Sequence, residues 1–342
     1  MKKIKTEDAV GHVLYHDMTR IIPGECKGPA FRKGHIVRPE DIPMLLSMGK
    51  EHLYVWENDE TMYHEDEAAE ILCRICIGPH MSASEPKEGK IEIRADAGGL
   101  FTVDDERLVR VNSLGEMIIA ARSGGVPVRK GDKLAGTRVI PLVIEKEKMR
   151  RAEEVSGSES LLKVTPFTHK KVAMIITGNE VYSGRIEDKF GPAIERKMAD
   201  YDTEIIGRTI IGDDPERIAA QIREYLDQGA NMICCTGGMS VDPDDTTPSA
   251  IRASGAQIIT YGAPVLPGAM FLLAYAPGDV PVMGLPGCVM YSRRTVFDLV
   301  LQRLMANVRV NAEDLAALGN GGLCLDCEIC TYPNCGFGKR GF

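Results

Sequence analysis

Two glycine-rich turns constrain the second half of this 342-residue chain more than any other feature. An apolar run at 172–176 leads into Thr-Gly-Asn-Glu at 177–180, and a second run at 232–235 leads into Thr-Gly-Gly-Met-Ser at 236–240. A strand that ends in glycine lets backbone N–H groups approach an anionic ligand, because no Cβ atom stands in the way. The two turns therefore predict a sheet edge that can bind an anion.

The same half of the chain alternates between strand-like and helix-like segments. Strands are predicted at 171–177, 203–210, 231–236, 257–260, 269–275 and 280–284, and helices at 190–200, 215–228, 246–254 and 289–306. This alternation predicts an α/β fold, here a three-layer domain with a mostly parallel sheet over residues 161–310. Ligands of such folds bind beyond the carboxyl ends of the strands, which is where both glycine turns fall.

Acidic residues and two Leu-Pro-Gly turns accompany the glycine turns. Asp213 follows the second predicted strand, Asp245 precedes Thr-Thr-Pro, and Leu-Pro-Gly occurs at 266–268 and at 285–287. Carboxylates beside a phosphate suit a magnesium ion, which is a hard cation that prefers oxygen ligands. Both aspartates also have a structural explanation, since acidic residues and Thr-Pro pairs are common where helices begin.

This ordered set of motifs resembles the molybdenum-cofactor biosynthesis domain, which molybdopterin adenylyltransferases, molybdopterin molybdenumtransferases and gephyrin share. The resemblance covers roughly residues 170–307. It implies that the loops hold the pterin and terminal phosphate of molybdopterin, and that Asp213 and Asp245 hold a magnesium ion and act in catalysis. The remaining residues implicated in ligand binding are Thr177, Gly178, Glu180, Asp188, Thr236, Gly237, Gly238, Ser240, Pro286 and Gly287.

The sequence departs from this family in three places. Asn179 stands where Asp is commoner, and Cys288-Val289 follows Gly287 in place of the usual Asn-Pro. The Ser-x-x-Asp-Gly-Tyr-Ala-like motif of the molybdenumtransferases is absent from the first half of the sequence. The resemblance to an enzyme that inserts metal therefore rests on the α/β region alone.

Three functions follow from the resemblance and stay open at this point. The first is an enzyme that binds molybdopterin or adenylyl-molybdopterin with magnesium and promotes molybdate insertion, releasing AMP. The second is adenylyl transfer from ATP to molybdopterin. The third is a carrier or sensor without catalytic activity, which responds to metal or redox state through the cysteines near the end of the sequence. Members of the family often form dimers or trimers, so a homo-oligomer is expected.

The first 150 residues predict two smaller modules, a β-rich one at 1–56 and an α+β one at 57–150. Within the second module the patterns predict a helix at 65–77, short strands at 91–94 and 107–111, and a helix at 113–122. The stretch at 145–160 is charged and then serine-rich, which predicts a linker.

Charge and hydropathy exclude some classes of partner. The formal net charge is −8 and no block of Lys and Arg occurs, which argues against a broad nucleic-acid surface. No segment has the uninterrupted apolar length of a membrane span, and no apolar stretch of a signal peptide follows the charged start. We therefore expect a cytoplasmic protein whose ten cysteines are thiols or metal ligands rather than disulfides.

A cysteine-rich tail is predicted over residues 319–342. Cys324, Cys327, Cys330 and Cys335 form the pattern Cys-x2-Cys-x2-Cys-x4-Cys. The first three resemble the start of a ferredoxin-type run, so the pattern is compatible with a [4Fe–4S] cluster, and four thiolates are equally compatible with a tetrahedral zinc site. A third alternative is a disordered tail whose thiols stay free or become oxidised. The sequence leaves this choice open. The pairs Cys73 with Cys76 and Cys234 with Cys235 lie in apolar segments and are predicted to be buried core thiols.

Overall fold

The computed structural model describes residues 2–22, 26–55, 59–240 and 246–339, and for 20–22 and 26–29 it describes the backbone only. The chain divides into two compact units. The first unit consists of Met1–Asp96, Val103–Arg122 and Gly131–Lys163, and the second of Ala97–Thr102, Ser123–Lys130 and Val164–Phe342. Among the described residues, no helix combines the length and the apolar character that crossing a membrane requires.

The described residues up to 166 contain thirteen short strands and four α-helices. The strands are β1 (Lys2–Lys5), β2 (Met18–Ile22), β3 (Cys26–Phe31), β4 (His52–Val55), β5 (Met62–His64), β6 (Met81–Ala83), β7 (Lys90–Ala95), β8 (Gly99–Val103), β9 (Met117–Ala121), β10 (Val126–Val128), β11 (Lys133–Val139), β12 (Val143–Glu145) and β13 (Leu162–Pro166). The helices are α1 (Ile42–Ser47), α2 (Glu65–Cys76), α3 (Asp105–Asn112) and α4 (Lys146–Ser156).

The first unit contains an antiparallel sheet with the strand order β6-β7-β11-β9. Helix α2 packs against β7 and β11 and buries Ala68, Leu72 and Cys76 on one face. A separate small core contains Leu14, Leu45 of α1 and Leu53 of β4. Helix α2 confirms the helix predicted at 65–77, because its apolar residues recur with helical spacing.

Two predictions for neighbouring segments are wrong in opposite senses. The strand predicted at 107–111 is helix α3, because the Asp104 carboxylate accepts a hydrogen bond from the backbone N–H of Arg107 at 2.9 Å and caps a helix. The helix predicted at 113–122 contains strand β9, in which buried Met117 and Ile119 alternate with exposed neighbours. Alternation with period two is the pattern of a half-buried strand.

The linker predicted at 145–160 is also wrong, since it contains helix α4. Met149 and Ala152 lie three residues apart on this helix and are fully buried. Apolar residues at this spacing lie on one face of a helix and pack into the interior, while the other faces carry charges. The charged composition of the segment therefore reflects a solvated helix face.

The second unit carries the larger sheet. Its strands are β14 (Lys170–Thr177), β15 (Thr203–Ile211), β16 (Met232–Thr236), β17 (Gln257–Tyr261), β18 (Leu272–Ala276) and β19 (Val280–Leu285). Its helices are α5 (Asn179–Tyr182), α6 (Phe190–Met198), α7 (Pro215–Asp227), α8 (Thr247–Ala253), α9 (Val296–Met305) and α10 (Ala312–Ala316). The strand order is β15-β14-β16-β19-β18-β17. The first four strands are parallel, which confirms the mostly parallel sheet.

Both faces of this sheet are covered by helices. In β14, Val172 and Met174 join a core that includes apolar residues of α6 and α9, whereas Ala173 and Ile175 join a second core with residues of α7 and α8. A parallel strand buried on both faces is typical of an α/β protein. The three-layer fold predicted for the second half of the chain is thus confirmed.

Helix α9 begins later than the sequence predicts. The predicted helix at 289–306 is interrupted, and α9 starts at Val296, where Thr295 and Asp298 form a capping box. A short 3-10 turn at Gly287–Met290 precedes it. The residues between the two form a loop that includes Arg293 and Arg294.

Candidate functional site

Four parallel strands end at one edge of the six-stranded sheet. Thr177 at the end of β14 lies opposite Ile211 of β15. Thr236 of β16 lies opposite Ile176 of β14 and Leu285 of β19. The loops that follow these four strands consequently leave the sheet side by side, and they contain the glycine turns, Asp213 and the second Leu-Pro-Gly turn.

Hydrogen bonds tie the two glycine turns to the start of α8. The Thr247 hydroxyl donates to the Gly237 carbonyl at 2.8 Å and lies 3.2 Å from the Thr177 hydroxyl. Because a hydroxyl has one proton, Thr177 is the donor in the contact between the two threonines. The backbone N–H of Thr247 also donates to the Gly238 carbonyl at 3.3 Å. Thr177 and Thr247 are buried, so the Thr177 hydroxyl has a structural role in joining the loops.

Gly237 permits a close approach that no other residue would. Its φ is +84°, and a Cβ atom added there would lie 2.2 Å from the Thr177 carbonyl oxygen. Gly238 follows with φ +52°. Left-handed conformations are favourable mainly for glycine, and the contact with Thr177 adds a steric requirement to the conformational one. The double glycine therefore lets the turn after β16 pass directly beside the end of β14.

Two buried hydroxyls at this edge lack a hydrogen-bond partner among the described residues. They belong to Thr236, the last residue of β16, and to Thr246, which precedes α8. Thr236 is fully buried. An unsatisfied buried hydroxyl costs about 1–3 kcal/mol, so such groups are expected where a ligand completes the site. Thr246 belongs to the Asp-Thr-Thr-Pro motif, but nothing in the motif distinguishes its role from that of Thr247.

Asp213 joins the loops that follow β14 and β15. Its carboxylate Oδ2 accepts a hydrogen bond from the backbone N–H of Asn179 at 2.9 Å, and its own N–H donates to Asn179 Oδ1 at 3.2 Å. The neighbouring Asp214 caps α7 by accepting from the N–H groups of Glu216 and Arg217. The helix-start explanation therefore applies to Asp214. Asp213 is half-buried at the sheet edge.

The other predicted carboxylates lie in different settings. Asp188 accepts from the N–H groups of Phe190 and Gly191 at the start of α6 and lies 3.8 Å from Arg208, with only 6% of its side chain exposed. Glu180 is exposed, and its carboxylate lies against Gly178, where an added Cβ atom would be 2.8 Å from Glu180 Oε1. Asp188 thus stabilises a helix start, whereas Glu180 lies beside the first glycine turn.

Asp245 lies outside the described residues, so its predicted role stays a prediction. Ser240 is exposed, and its backbone carbonyl accepts a hydrogen bond from the Tyr261 hydroxyl at 3.1 Å. Pro286 and Gly287 begin the 3-10 turn after β19. Within the part of the chain that the structure describes, no three His, Cys, Asp or Glu side chains are grouped to hold a single metal ion.

Eight of the ten cysteines fall into two groups. Cys73, Cys76, Cys234 and Cys235 are buried, as predicted. Burial raises the pKa of the Cys235 thiol to about 12, which keeps it protonated. In the tail, Cys324 and Cys335 are partly buried against the core of the second unit, whereas Cys327 and Cys330 are exposed. The tail packs on the second unit through Phe337, which is buried in the same core.

Comparison with known proteins confirms the resemblance of the α/β region. Residues 173–306 match the family described as probable molybdopterin binding domain, and residues 3–57 match a domain family of unknown function. A CinA-like protein of Mycobacterium avium is 34% identical over 90 residues, which are 26% of this chain. A CinA-like protein of Mycobacterium tuberculosis has the same identity over the same length. The chain spans about a fifth of the length of these curated relatives.

Solved structures are also similar to parts of the chain. The molybdopterin biosynthesis enzyme MoaB of Thermus thermophilus is 20% identical and covers 40% of this chain and 97% of its own, with a TM-score of 0.34. A molybdenum cofactor biosynthesis protein of Pyrococcus furiosus is 14% identical and covers 90% of this chain and 64% of its own, with a TM-score of 0.25.

Proposed function

We propose that the chain acts in the maturation of the molybdenum cofactor, because residues 173–306 match the family described as probable molybdopterin binding domain. In this proposal, the carboxyl edge of the sheet binds molybdopterin or adenylyl-molybdopterin. The protein promotes the transfer of molybdate to the dithiolene of the pterin. The single observation that best supports ligand binding at this edge is the pair of buried, unpartnered hydroxyls of Thr236 and Thr246.

A phosphate group would satisfy the polar groups at this edge. The hydroxyls of Thr236 and Thr246 would donate to phosphate oxygens, and the Gly237-Gly238 turn would supply backbone N–H groups without obstruction by Cβ atoms. Because Thr177 and Asn179 fix the neighbouring loops, these donors are held in place before the ligand arrives. Preorganised donors stabilise the charge that develops when a phosphoanhydride is cleaved.

Magnesium is the metal ion that the family resemblance implies. The half-buried carboxylate of Asp213, positioned by the Asn179 N–H, has the oxygen donor that this cation prefers, and Asp245 would be the second ligand. A bound magnesium ion would neutralise negative charge on the phosphates. Hydrolysis of the adenylyl phosphoanhydride by one water molecule would release AMP and leave the terminal phosphate on molybdopterin.

The release of AMP tests this function. The intact protein would be incubated with adenylyl-molybdopterin, magnesium and molybdate, and compared with Asp245→Asn and with the control Asp227→Asn, whose side chain is exposed at the end of α7. We expect molybdate-dependent release that Asp245→Asn abolishes and Asp227→Asn preserves. Tight binding without release in the unmodified protein would reject insertion. ATP and free molybdopterin would then distinguish adenylyl transfer from a carrier without catalytic activity.

A further inference from the structure

The four tail cysteines line one cavity of about 270 Å³ within the second unit. Arg293 and Arg294, which precede α9, and the aromatic rings of Tyr332 and Phe337 line the same cavity. Cysteines that lie up to eleven positions apart in sequence therefore line the same cavity. The cavity is separate from the phosphate-binding groups described above, since it contains none of the residues of the two glycine turns.

Backbone hydrogen bonds hold the tail in the position that forms this cavity. The N–H of Leu266 donates to the Gly322 carbonyl, and the N–H of Cys324 donates back to the Leu266 carbonyl, both at 2.8 Å. The Arg293 guanidinium donates to the carbonyls of Cys327 and Glu328, at 3.2 and 2.6 Å. The hydrogen bonds to Leu266 hold the chain just before the exposed cysteines, and those from Arg293 hold it at the exposed cysteines themselves. A fixed set of thiols is what a metal centre requires of its protein.

The spacing of the thiols favours one of two kinds of centre. A zinc ion binds four thiolates directly, at about 2.3 Å each. In a cubane cluster each thiolate binds a different iron at the outside of the cluster, and Cys-x2-Cys-x2-Cys is a typical spacing of its ligands. Cys324, Cys327 and Cys330 have this spacing, and all four tail cysteines border the cavity. We propose that this cavity binds a [4Fe–4S] cluster through Cys324, Cys327, Cys330 and Cys335.

The surroundings suit an anionic cluster. Arg294 lines the cavity together with Cys330, and its guanidinium lies 4.8 Å from the centre of the Tyr332 ring. A guanidinium at the cavity supplies positive charge beside the negative charge of the thiolates and the cluster. Leu323, Tyr332 and Phe337 add apolar surface to the lining.

Metal analysis of the full chain tests this site. The protein would be reconstituted without oxygen using ferrous iron and sulfide, and then assayed for iron, sulfide and zinc and for visible absorbance that dithionite bleaches. We expect about four irons and about four sulfides per chain. Cys327→Ala and Cys330→Ala should lose the absorbance, whereas Cys288→Ala, which changes a half-buried cysteine outside the cavity, should keep it.

Circular dichroism would establish that each variant is folded, and exposed positions 327 and 330 are chosen because truncation there removes no core contact. One zinc per chain without sulfide would overturn the cluster in favour of a tetrathiolate zinc site. Absence of any bound metal, or iron retained in both tail variants, would also overturn it. The result is independent of the proposed function, because Asp245→Asn should bind iron as the unmodified protein does.

Discussion

The Thr236 hydroxyl is expected to lower the stability of the unliganded protein and to raise its affinity for a ligand. Its oxygen is buried at the end of β16 without a partner among the described residues. Thr236→Val keeps the shape of the side chain and removes this group. We expect the free energy of unfolding of the unliganded protein to rise by about 1 kcal/mol in urea titrations. The affinity for adenylyl-molybdopterin, measured by calorimetry, should fall roughly tenfold, since one hydrogen bond is lost.

Thr209→Val is the matched control for this change. The Thr209 hydroxyl contacts the Tyr225 hydroxyl at 2.5 Å, so its removal breaks a hydrogen bond that exists without ligand. This variant should unfold at lower urea concentration and bind the ligand normally. If Thr236→Val also destabilised the unliganded protein, its hydroxyl would have a partner in the native state, and the argument for a phosphate site would fail.

At the turn after β16, glycine is required both for its left-handed backbone and for the close approach of Gly237 to Thr177, and two substitutions distinguish these requirements. Gly237→Ala places a methyl group against the Thr177 carbonyl in addition to forcing a left-handed backbone. Gly255→Ala is the control, because Gly255 has φ +96° but nothing within 4 Å of an added Cβ atom. We expect about 1 kcal/mol of destabilisation at Gly255 and at least about 2 kcal/mol more at Gly237, measured by urea unfolding. Equal effects would show that the two turns do not approach as closely as described.

At the scale of single elements, helix α2 depends on the protonation state of its cap. His64 is buried, its Nδ1 accepts a hydrogen bond from the Asp66 N–H at 3.2 Å, and its Nε2 lies 3.0 Å from the Tyr15 carbonyl. Only the neutral ring with its proton on Nε2 makes both contacts. Burial lowers the pKa of His64, with the charge of Lys33 as a further cause.

A lowered histidine pKa fixes the sign of the pH dependence. The folded state binds fewer protons than the unfolded chain, so the contribution of His64 to stability is complete above about pH 6.5 and decreases as the pH falls through the lowered value. We expect His64→Asn, which keeps an oxygen for the cap, to lose less stability than the unmodified protein between about pH 7.5 and about pH 5.5. Urea titrations across this range measure it, and parallel curves for both proteins would contradict the assigned tautomer.

Local sequence patterns predicted elements well where the period of burial was clear. The strands around Val172 and Met232 and the helix at 215–228 are apolar or amphipathic throughout, and they occur where predicted. The strand predicted at 107–111 was wrong because its β-branched Val109 and Val111 favour a strand locally, whereas the Asp104 cap, three residues before the segment, starts a helix. A cap is a single hydrogen bond, so averaging over a window hides it.

Contacts between distant segments account for what the sequence could not supply. Strands β10, β8 and β13 form a sheet with β8 in the middle. Most of β8 and all of β10 belong to the second unit, whereas β9, which lies between them in sequence, belongs to the first. Such interleaving follows from long-range pairing, which no linear pattern encodes. At the site, the glycine turns could be predicted to share an edge, because carboxyl ends of parallel strands do. The Thr177–Thr247 contact could not, since it joins residues 70 positions apart.

At the scale of the whole molecule, the buried and the exposed cysteines should differ in their rates of alkylation. Thiolates are the reactive form, and burial raises the pKa of Cys73, Cys76, Cys234 and Cys235. In the metal-free folded protein, iodoacetamide should label exposed Cys327 and Cys330 first, and the buried group only at the rate at which the structure opens. Mass spectrometry of timed samples would resolve the two classes.

The same labelling compares the cysteines of the tail with buried Cys234 before and after iron is bound. Before reconstitution, exposed Cys330 should be labelled at the rate of an accessible thiol, and Cys234 only slowly, since opening of the structure limits its reaction. Reconstitution with iron and sulfide should then protect Cys327 and Cys330 while leaving the slow labelling of Cys234 unchanged. Tail cysteines that stay reactive after iron is bound would place the iron elsewhere in the molecule, and rapid labelling of Cys234 would contradict the buried β16 strand.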